Sequence, residues 1–484
     1  MNNPKHIHLI GICGSAMASL AGLLQLCGWR VTGSDNASYP PMSDLLARLQ
    51  IPVAQPFSEA NLEPCPDLVI VGNAISRGNP EVEFVLDQRI PFSSLAAIIH
   101  QEFLIGRESL VVAGTHGKTT TTSMLAWIYE TAAGKYPELA PSFLIGGIAE
   151  NFGSSFALRP TLPFILEGDE YDTAFFDKGP KFLHYFPDAL ILTHVEFDHA
   201  DIYADLASVK TAFKRLVNLV PRRGRIVAFD ASENVTECVG RAFCTVERYG
   251  FAADSYWRIV ELATNRHGSR WKIEQNGTPW LEIEIPVIGE HNVLNATAAA
   301  ALAAGQGLNK DCIRRALASF LSVKRRLELI AEVGGVMIID DFAHHPTAIR
   351  ETLRALRLQY PASRLWAVLE PRSNTLRRNV FEHDLTESLV LADEIVLASV
   401  YQAANIPAEQ ILHPERVVRS LREAGRSALQ LPDATTIVEY LGAHVRRGDV
   451  VAILSNGGFD GIYQNLPAHL QRIQVGMQKT AAAP

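Results

Sequence analysis

An α/β protein of three domains, each built on a largely parallel sheet, is expected of this 484-residue chain for three reasons. Short apolar runs alternate with segments of helical period from the first residues onward. That alternation restarts twice, near residues 109 and 336, each time on a new strand-like run. At roughly 150 residues per domain, the length fits about three such units.

The first unit opens with a strand-like run at 6–12, a helical stretch at 15–27 and a second strand-like run at 29–33, the βαβ pattern of a parallel sheet. The second opens at 109–114, where a short strand enters a glycine turn and a helix begins near Lys118. Buried strands are expected at 164–167 and 189–193, and the alanine-rich stretch 296–304 has strong helix propensity. The third begins at 336–340 and continues with strands at 365–369, 394–398 and 450–454 and helices between them. Polar interruptions of the apolar rhythm set the expected domains at 1–108, 109–323 and 324–484, and the tail from Gln478 to Pro484 is expected to fray.

Composition excludes several classes of function. With 48% hydrophobic and 20% charged residues, the chain has the apolar content to fill cores, so wholesale disorder is excluded. Lys plus Arg number 44 against 52 Asp plus Glu, a net charge of −8 that disfavours nucleic acid as a partner. The six cysteines show no CxxC pair and read as reduced thiols. No basic, apolar leader precedes the first strand, and the apolar runs fall far short of the roughly 20 residues of a membrane-spanning helix. A cytoplasmic protein with no export signal and no membrane insertion is expected.

The clearest chemical motif is Gly114-Thr115-His116-Gly117-Lys118-Thr119-Thr120, which joins a strand to a helix. Its backbone N–H groups converge on phosphate oxygens at a helix N-terminus, Lys118 offsets phosphate charge, and the Thr119 hydroxyl suits a nucleotide-bound magnesium ion. The spacing is shorter than the common phosphate loop, with Val112 where the first glycine would stand. As a residue of an exposed loop, Lys118 is expected to add little to the core. Two strand ends downstream carry acids, Glu167 with Asp169-Glu170, and Glu196-Phe197-Asp198-His199. Carboxylates at carboxyl strand ends, beside a phosphate loop, favour a magnesium site to which an imidazole is an unusual but possible addition.

Near the amino terminus, Gly11-Ile12-Cys13-Gly14-Ser15-Ala16-Met17 opens a helix, and Asp35 follows the second strand. The glycines are spaced GxxG rather than GxGxxG, so a nicotinamide dinucleotide is disfavoured. A nucleotide-diphosphate turn and a purely structural turn both remain open. In the third unit, Asp340-Asp341-Phe342-Ala343-His344-His345-Pro346 follows a strand and starts a helix at proline, and Arg325 and Arg326 at the proposed hinge read either as contacts to a transferred phosphate or, more commonly for such a pair, as solvated basic residues.

The order of these pieces along essentially the whole chain resembles the Mur ligases, ATP-dependent amide-forming enzymes of peptidoglycan biosynthesis and recycling. The Gly114–Thr120 loop, Glu290-His291-Asn292-Val293-Leu294-Asn295, Lys324-Arg325-Arg326 and the Asp340–Pro346 motif are similar to the UDP-N-acetylmuramate branch. Tyr171-Asp172-Thr173, Glu196 to Ile202, Glu370-Pro371-Arg372-Ser373-Asn374-Thr375 and Ser455-Asn456-Gly457-Gly458 resemble the members that take a recycled tripeptide rather than L-alanine. The fold implied has a Rossmann-like amino-terminal domain, a central P-loop ATPase domain and a Rossmann-like carboxy-terminal domain.

What the resemblance implies is specific. Lys118 contacts ATP phosphates within the loop Gly114, Thr115, His116, Gly117, Thr119 and Thr120; Thr119 and Glu167 hold one Mg2+, and His199 a second. Asn292, Asn295, Arg326, Asp341 and His345 bind nucleotide or close the site. The sugar nucleotide UDP-N-acetylmuramate sits on Gly11, Cys13, Gly14, Ser15, Ala16 and Met17, with Ser34 and Asp35 at the uridine and Asn73, Ala74 and Ile75 near the diphosphate. The DNPR motif of diaminopimelate-adding relatives is missing, so Arg372, Ser373, Asn374, Ser455 and Asn456 are the candidates for the peptide L-alanyl-γ-D-glutamyl-meso-diaminopimelate. His194 stands where L-alanine-adding relatives carry asparagine, and the acidic motif reads EGDEYD rather than EADESD. The activity implied is phosphoryl transfer from ATP to the muramate carboxylate, then attack by the amine on the acyl phosphate; L-alanine is the alternative amine.

Overall fold

The computed structural model describes residues 5–38 and 40–481. Three main sheets, of five, ten and six strands, follow one another along the chain, as the restarts of the apolar rhythm predict.

The first sheet is parallel throughout, in the order Val53–Ala54, Arg30–Ser34, His6–Ile10, Leu68–Val71, Phe92–Ser94. Its first strand stops at Ile10, two residues earlier than the apolar run, because Gly11 turns with φ +81° and the N–H groups of Gly11 and Ile12 both donate to the Ser34 carbonyl. The helix Ser15–Leu26 follows and buries Met17 to Leu24. Gly22 on that helix lies against the Phe156 ring, which fills the space a Cβ would take, and Ser19 shares a 2.7 Å hydrogen bond with Ser155. This close approach seats the first unit on the second.

The central sheet runs Thr278–Ile285, Gly268–Gln275, Trp257–Asn265, Thr245–Gly250, Arg225–Phe229, Ala189–Leu192, Glu108–Ala113, Pro163–Gly168, Ser142–Ala149, Ser154–Ala157. Its middle is parallel and its two margins are antiparallel hairpins. The middle strands are buried on both faces and read as unbroken apolar runs, whereas the margin from Trp257 to Ile285 is half-exposed and polar at alternate positions. The helices Lys118–Ala133 and Glu290–Gly305 pack together on one face. The second starts six residues before the alanine run, directly after Gly289 at φ +98°.

The third sheet is ordered Glu328–Val333, Val336–Asp341, Val450–Leu454, Leu365–Leu369, Glu394–Ala398, Ser427–Leu431, parallel except at its first strand. The helix Pro346–Gln359 begins where His345 caps it, its ring accepting from the Thr347 N–H. The helix Ile462–Ala481 runs into the tail that was expected to fray, and residues 482–484 lie outside the described residues. No described helix is long and apolar enough to cross a membrane.

Each sheet has a point where strand order reverses, and its carboxyl edge there is where an open α/β sheet takes ligands. Those edges present Gly11, Asp35 and Gly72 in the first sheet, Gly114, Asp169 and Thr193 in the second, and Phe342, Glu370 and Ser455 in the third.

Candidate functional site

The strand Glu108–Ala113 lies between Ala189–Leu192 and Pro163–Gly168, so the loop that leaves it is flanked by both acidic strand ends. The loop is stitched to one neighbour: Thr115 N–H donates to the His194 carbonyl at 2.8 Å, and the Thr193 hydroxyl donates to the His116 carbonyl at 2.6 Å. Two of its residues have to be glycine. Gly114, at φ +136°, has Thr193 Oγ1 where a Cβ would sit, and Gly117, at φ +79°, would put a Cβ 2.6 Å from Asn295 Oδ1. The Thr115 hydroxyl is buried without a partner.

Lys118, expected to be exposed, is not. Its side chain is 15% exposed, and Nζ donates to the Gly114 carbonyl at 2.6 Å and to Glu170 Oε2 at 2.8 Å. Burial pushes the amine down, but Glu170 and Asp169 outweigh it and hold it above its usual range. Thr119 Oγ1 donates to Glu167 Oε2 at 3.1 Å, and Gly146 N–H donates to Glu167 Oε1 at 2.5 Å. Burial raises the Glu167 carboxyl.

The second acidic strand end closes over the first. His199 Nε2 lies 3.1 Å from Glu170 Oε1, and the ligand atoms of Asp169, Glu170 and His199 fall within 4.8 Å of one another. Burial pushes the His199 imidazole down, but Glu170 and Asp198 raise it to about 9. Its backbone stands at φ +55°, a left-handed conformation that costs a residue with a side chain about 1–2 kcal/mol. Lys181 pairs with Asp169 at 2.6 Å. Glu167, Asp169 and Glu170 face Lys118, Lys181, Arg326 and the His199 imidazole. An oxygen-rich donor set of carboxylates and a threonine hydroxyl fits a hard divalent cation such as Mg2+.

A seam then joins the second unit to the third. His116 Nε2 is 3.1 Å from Glu196 Oε2, the Thr347 hydroxyl donates to the same oxygen at 2.8 Å, and His345 Nδ1 lies 3.7 Å from it. Thr375 Oγ1 donates to Asp198 Oδ1 at 2.6 Å, and Ala200 N–H donates to Thr375 Oγ1 at 3.2 Å. Burial lowers His344 to about 4, and also His345 to about 3, so both rings are neutral.

Two cavities meet at this point. One, of about 570 Å³, is lined by Thr115 to Thr119, Glu167, Asp169, His199, His344, Arg372, Ser373, Asn374 and Asn456, with Ala16 and Leu95 of the first unit. The other, of about 510 Å³, is lined by Thr120, Glu196, Asn292, Asn295, Asp341 and Thr347. His116, Gly117 and Arg326 line both. The phosphate loop is therefore the wall between two chambers.

Not every expected residue faces them. Ser34 is fully buried, its hydroxyl bonded to Glu81 and its carbonyl to the Gly11 turn, so it shapes that turn and does not face either cavity. Ser455 is likewise fully buried, bonded to Glu370 and to Gly457 N–H. Arg325 turns away into the third unit, toward Asp340, the Ser455 carbonyl and Tyr463, leaving Arg326 alone at the cavities. The Asp341 carboxylate is occupied by the N–H groups of Leu327 and Ala343 and by Thr352. Gly11, Cys13, Gly14, Ser15, Met17, Asp35, Asn73, Ala74 and Ile75 cluster at the first sheet's edge, with Asp35 Oδ2 accepting from Cys13 N–H at 2.9 Å, but none lines either cavity. His345 lines the larger cavity. Lys181 and Arg377 were missed, each recognisable only by what it meets across the fold; Thr375 was read only as the end of the Glu370–Thr375 motif, with no role of its own.

Three family models match the chain in order: the Mur ligase family, catalytic domain, over residues 6–103; the Mur ligase middle domain over 112–303; and the Mur ligase, glutamate ligase domain, over 325–457. The chain is 42% identical over 461 residues to a UDP-N-acetylmuramate--L-alanyl-gamma-D-glutamyl-meso-2,6-diaminoheptandioate ligase of Escherichia coli, covering 95% of this chain and 97% of that one. A UDP-N-acetylmuramate--L-alanine ligase of Acetivibrio thermocellus is 30% identical, with 94% of each chain covered. The crystal structure of a murein peptide ligase from Psychrobacter arcticus superposes with a TM-score of 0.74 at 33% identity, covering 96% of this chain and 99% of that one. Sequence order, architecture and the two-chambered site agree, and the chain belongs to the Mur ligase family of ATP-dependent ligases that form a C–N bond.

Proposed function

We propose that this chain joins UDP-N-acetylmuramate to the recycled tripeptide L-alanyl-γ-D-glutamyl-meso-diaminopimelate in murein recycling, in the cytoplasm, with ATP as the activating substrate. The observation that carries the reading is the pair of chambers sharing the phosphate loop and Arg326. ATP occupies the smaller chamber, beside Asn292 and Asn295, with its phosphates reaching across the loop. The muramate carboxylate and the peptide amine meet in the larger one. That chamber also holds Arg372 and Arg377, cations suited to a peptide with several carboxylates. Identity favours the same reading, at 42% for a tripeptide-adding relative against 30% for an L-alanine-adding one.

A free carboxylate has a poor leaving group, so the γ-phosphoryl is moved onto the lactyl carboxylate and the amine then displaces phosphate. Lys118 and Arg326 offset the charge gathered in that transfer, and the loop N–H groups orient the phosphates. Thr119 with Glu167 would hold one Mg2+, and His199 a second, supplying further positive charge at the transferring group. The seam through Thr347, His345 and Thr375 shuts the larger chamber from water, which the acyl phosphate requires. The Gly11–Met17 turn, Asp35 and Asn73 to Ile75 take the UDP portion, and domain limits near 108 and 323 separate the three roles.

Mass analysis of products tests the reading. Protein incubated with ATP, UDP-N-acetylmuramate, tripeptide and L-alanine together should yield the tripeptide conjugate; formation of the L-alanine conjugate alone overturns it.

A further inference from the structure

Tyr171, Asn374, Arg377 and Tyr401 line one side of the larger cavity, and Asp201 stands just outside that lining, an arrangement that phosphoryl transfer does not use. Arg377 donates through Nη2 to Asn374 Oδ1 at 2.5 Å and through Nη1 to the Tyr401 carbonyl at 3.4 Å. Its Nε is buried without a partner, and among the described residues no carboxylate pairs with it. A half-buried guanidinium without a counter-ion is costly unless something else supplies the anion. On the other side of the same carboxamide, Asn374 Nδ2 donates to Asp201 Oδ2 at 2.7 Å, and the Tyr171 hydroxyl donates to that oxygen at 3.1 Å. Asp201 Oδ1 accepts from no described residue, and Asp201 itself is exposed. A cation and an anion therefore flank one amide, with Arg377 and Asn374 on the third unit and Asp201 and Tyr171 on the second.

We propose that Arg377 and Asp201 form the subsite for a zwitterionic amino-acid end of the peptide substrate, Arg377 taking its carboxylate and Asp201 its ammonium. Asn374 now offers each of them a neutral partner of matching polarity, an acceptor to the arginine and a donor to the acid. A group with carboxylate and ammonium on one carbon offers the same two partners with full charges. The proposal rests on the tripeptide reading above, since the distal end of meso-diaminopimelate is such a group and L-alanine, once its amine has reacted, is not. Because the two charges belong to different units, a ligand held by both also favours the closed seam.

The test compares three peptides on the full-length protein: the tripeptide, its counterpart with L-lysine in place of diaminopimelate, which lacks only the distal carboxylate, and the tripeptide acetylated at the distal amine. The wild type should favour the tripeptide over either analogue by about ten- to a hundredfold in kcat/KM, the loss expected when one hydrogen-bonded charged partner is removed from a part-exposed site. Arg377→Ala should bring the tripeptide-to-lysine ratio close to one through KM, with Arg377→Lys restoring part of it. Asp201→Asn should instead erase discrimination against the acetylated peptide. Thermal melting and the KM for ATP identify any variant that is merely misfolded. A wild type that takes all three peptides equally, or variants that lower all three equally, overturns the subsite while leaving the tripeptide reading intact. A wild type that conjugates only L-alanine overturns both.

Discussion

Two clusters of near-equal composition flank the phosphate loop, and they serve opposite needs. Asp169, Glu170 and His199 belong to one unit, carry two carboxylates, and draw in Lys118 and Lys181. His116, Glu196 and His345 span two units, carry one carboxylate, and rely on neutral hydrogen bonds such as that from Thr347. The first concentrates negative charge that only cations offset. The second contains little net charge, so it can open and close without separating strongly bound ions. Similar ligand-type residues therefore say little until their pairing is known.

The largest expected effect lies in the first cluster. Lys118→Ala should lower phosphate release by about 10²- to 10³-fold, the scale seen when one donor to a transition-state charge is removed. It should also destabilise the fold by about 3 kcal/mol, because Glu170 loses its lysine inside the protein. Adding Glu170→Gln should recover the melting temperature but not the activity. Unchanged melting of the single variant would show that the pair adds nothing to stability.

Next is the wall between the chambers. Gly117→Ala forces a side chain into φ +79° and against Asn295, so KM for ATP should rise about tenfold while the fold, measured by melting, loses about 1–2 kcal/mol. An unaltered KM would mean that the loop conformation does not govern nucleotide binding.

The smallest effect is the one that separates the clusters by pH. Burial holds His345 at about 3 and His344 at about 4, below the 6.5 of an unfolded histidine. Their contribution is full above pH 6.5 and is lost as pH falls toward 4, where the unfolded chain binds more protons. His199, raised to about 9, behaves in reverse: its contribution is full below 6.5 and is lost as pH rises through 9. Melting temperatures from pH 4 to 10 should fall on both sides. His345→Gln should flatten the acid limb and His199→Gln the alkaline one; a profile unchanged by either substitution would contradict these assignments.

Much of this was legible locally. The strands at 365–369, 394–398 and 450–454 coincide with the observed elements, because strands buried on both faces are continuous apolar runs. The three strands from Trp257 to Ile285 went unread, since their polar alternation resembles surface loop. In the site, the Gly114–Thr119 loop and both acidic strand ends converge as their positions after strands imply. The residues that do not face the cavities share a cause. Ser34, Ser455 and Arg325 have residue types suited to ligands, yet their polar groups are used by neighbours distant in sequence.

What the sequence by itself determined was the succession of three α/β units and the phosphate loop, because apolar period, glycine conformation and helix starts depend on a few consecutive residues. Only the tertiary structure decided which polar groups remain available to a ligand. It buried Lys118 against Glu170, 52 residues away, and set Asn374 between Arg377 and Asp201, the latter 173 residues distant. Burial and pairing are properties of places where remote segments meet, and no local pattern records them.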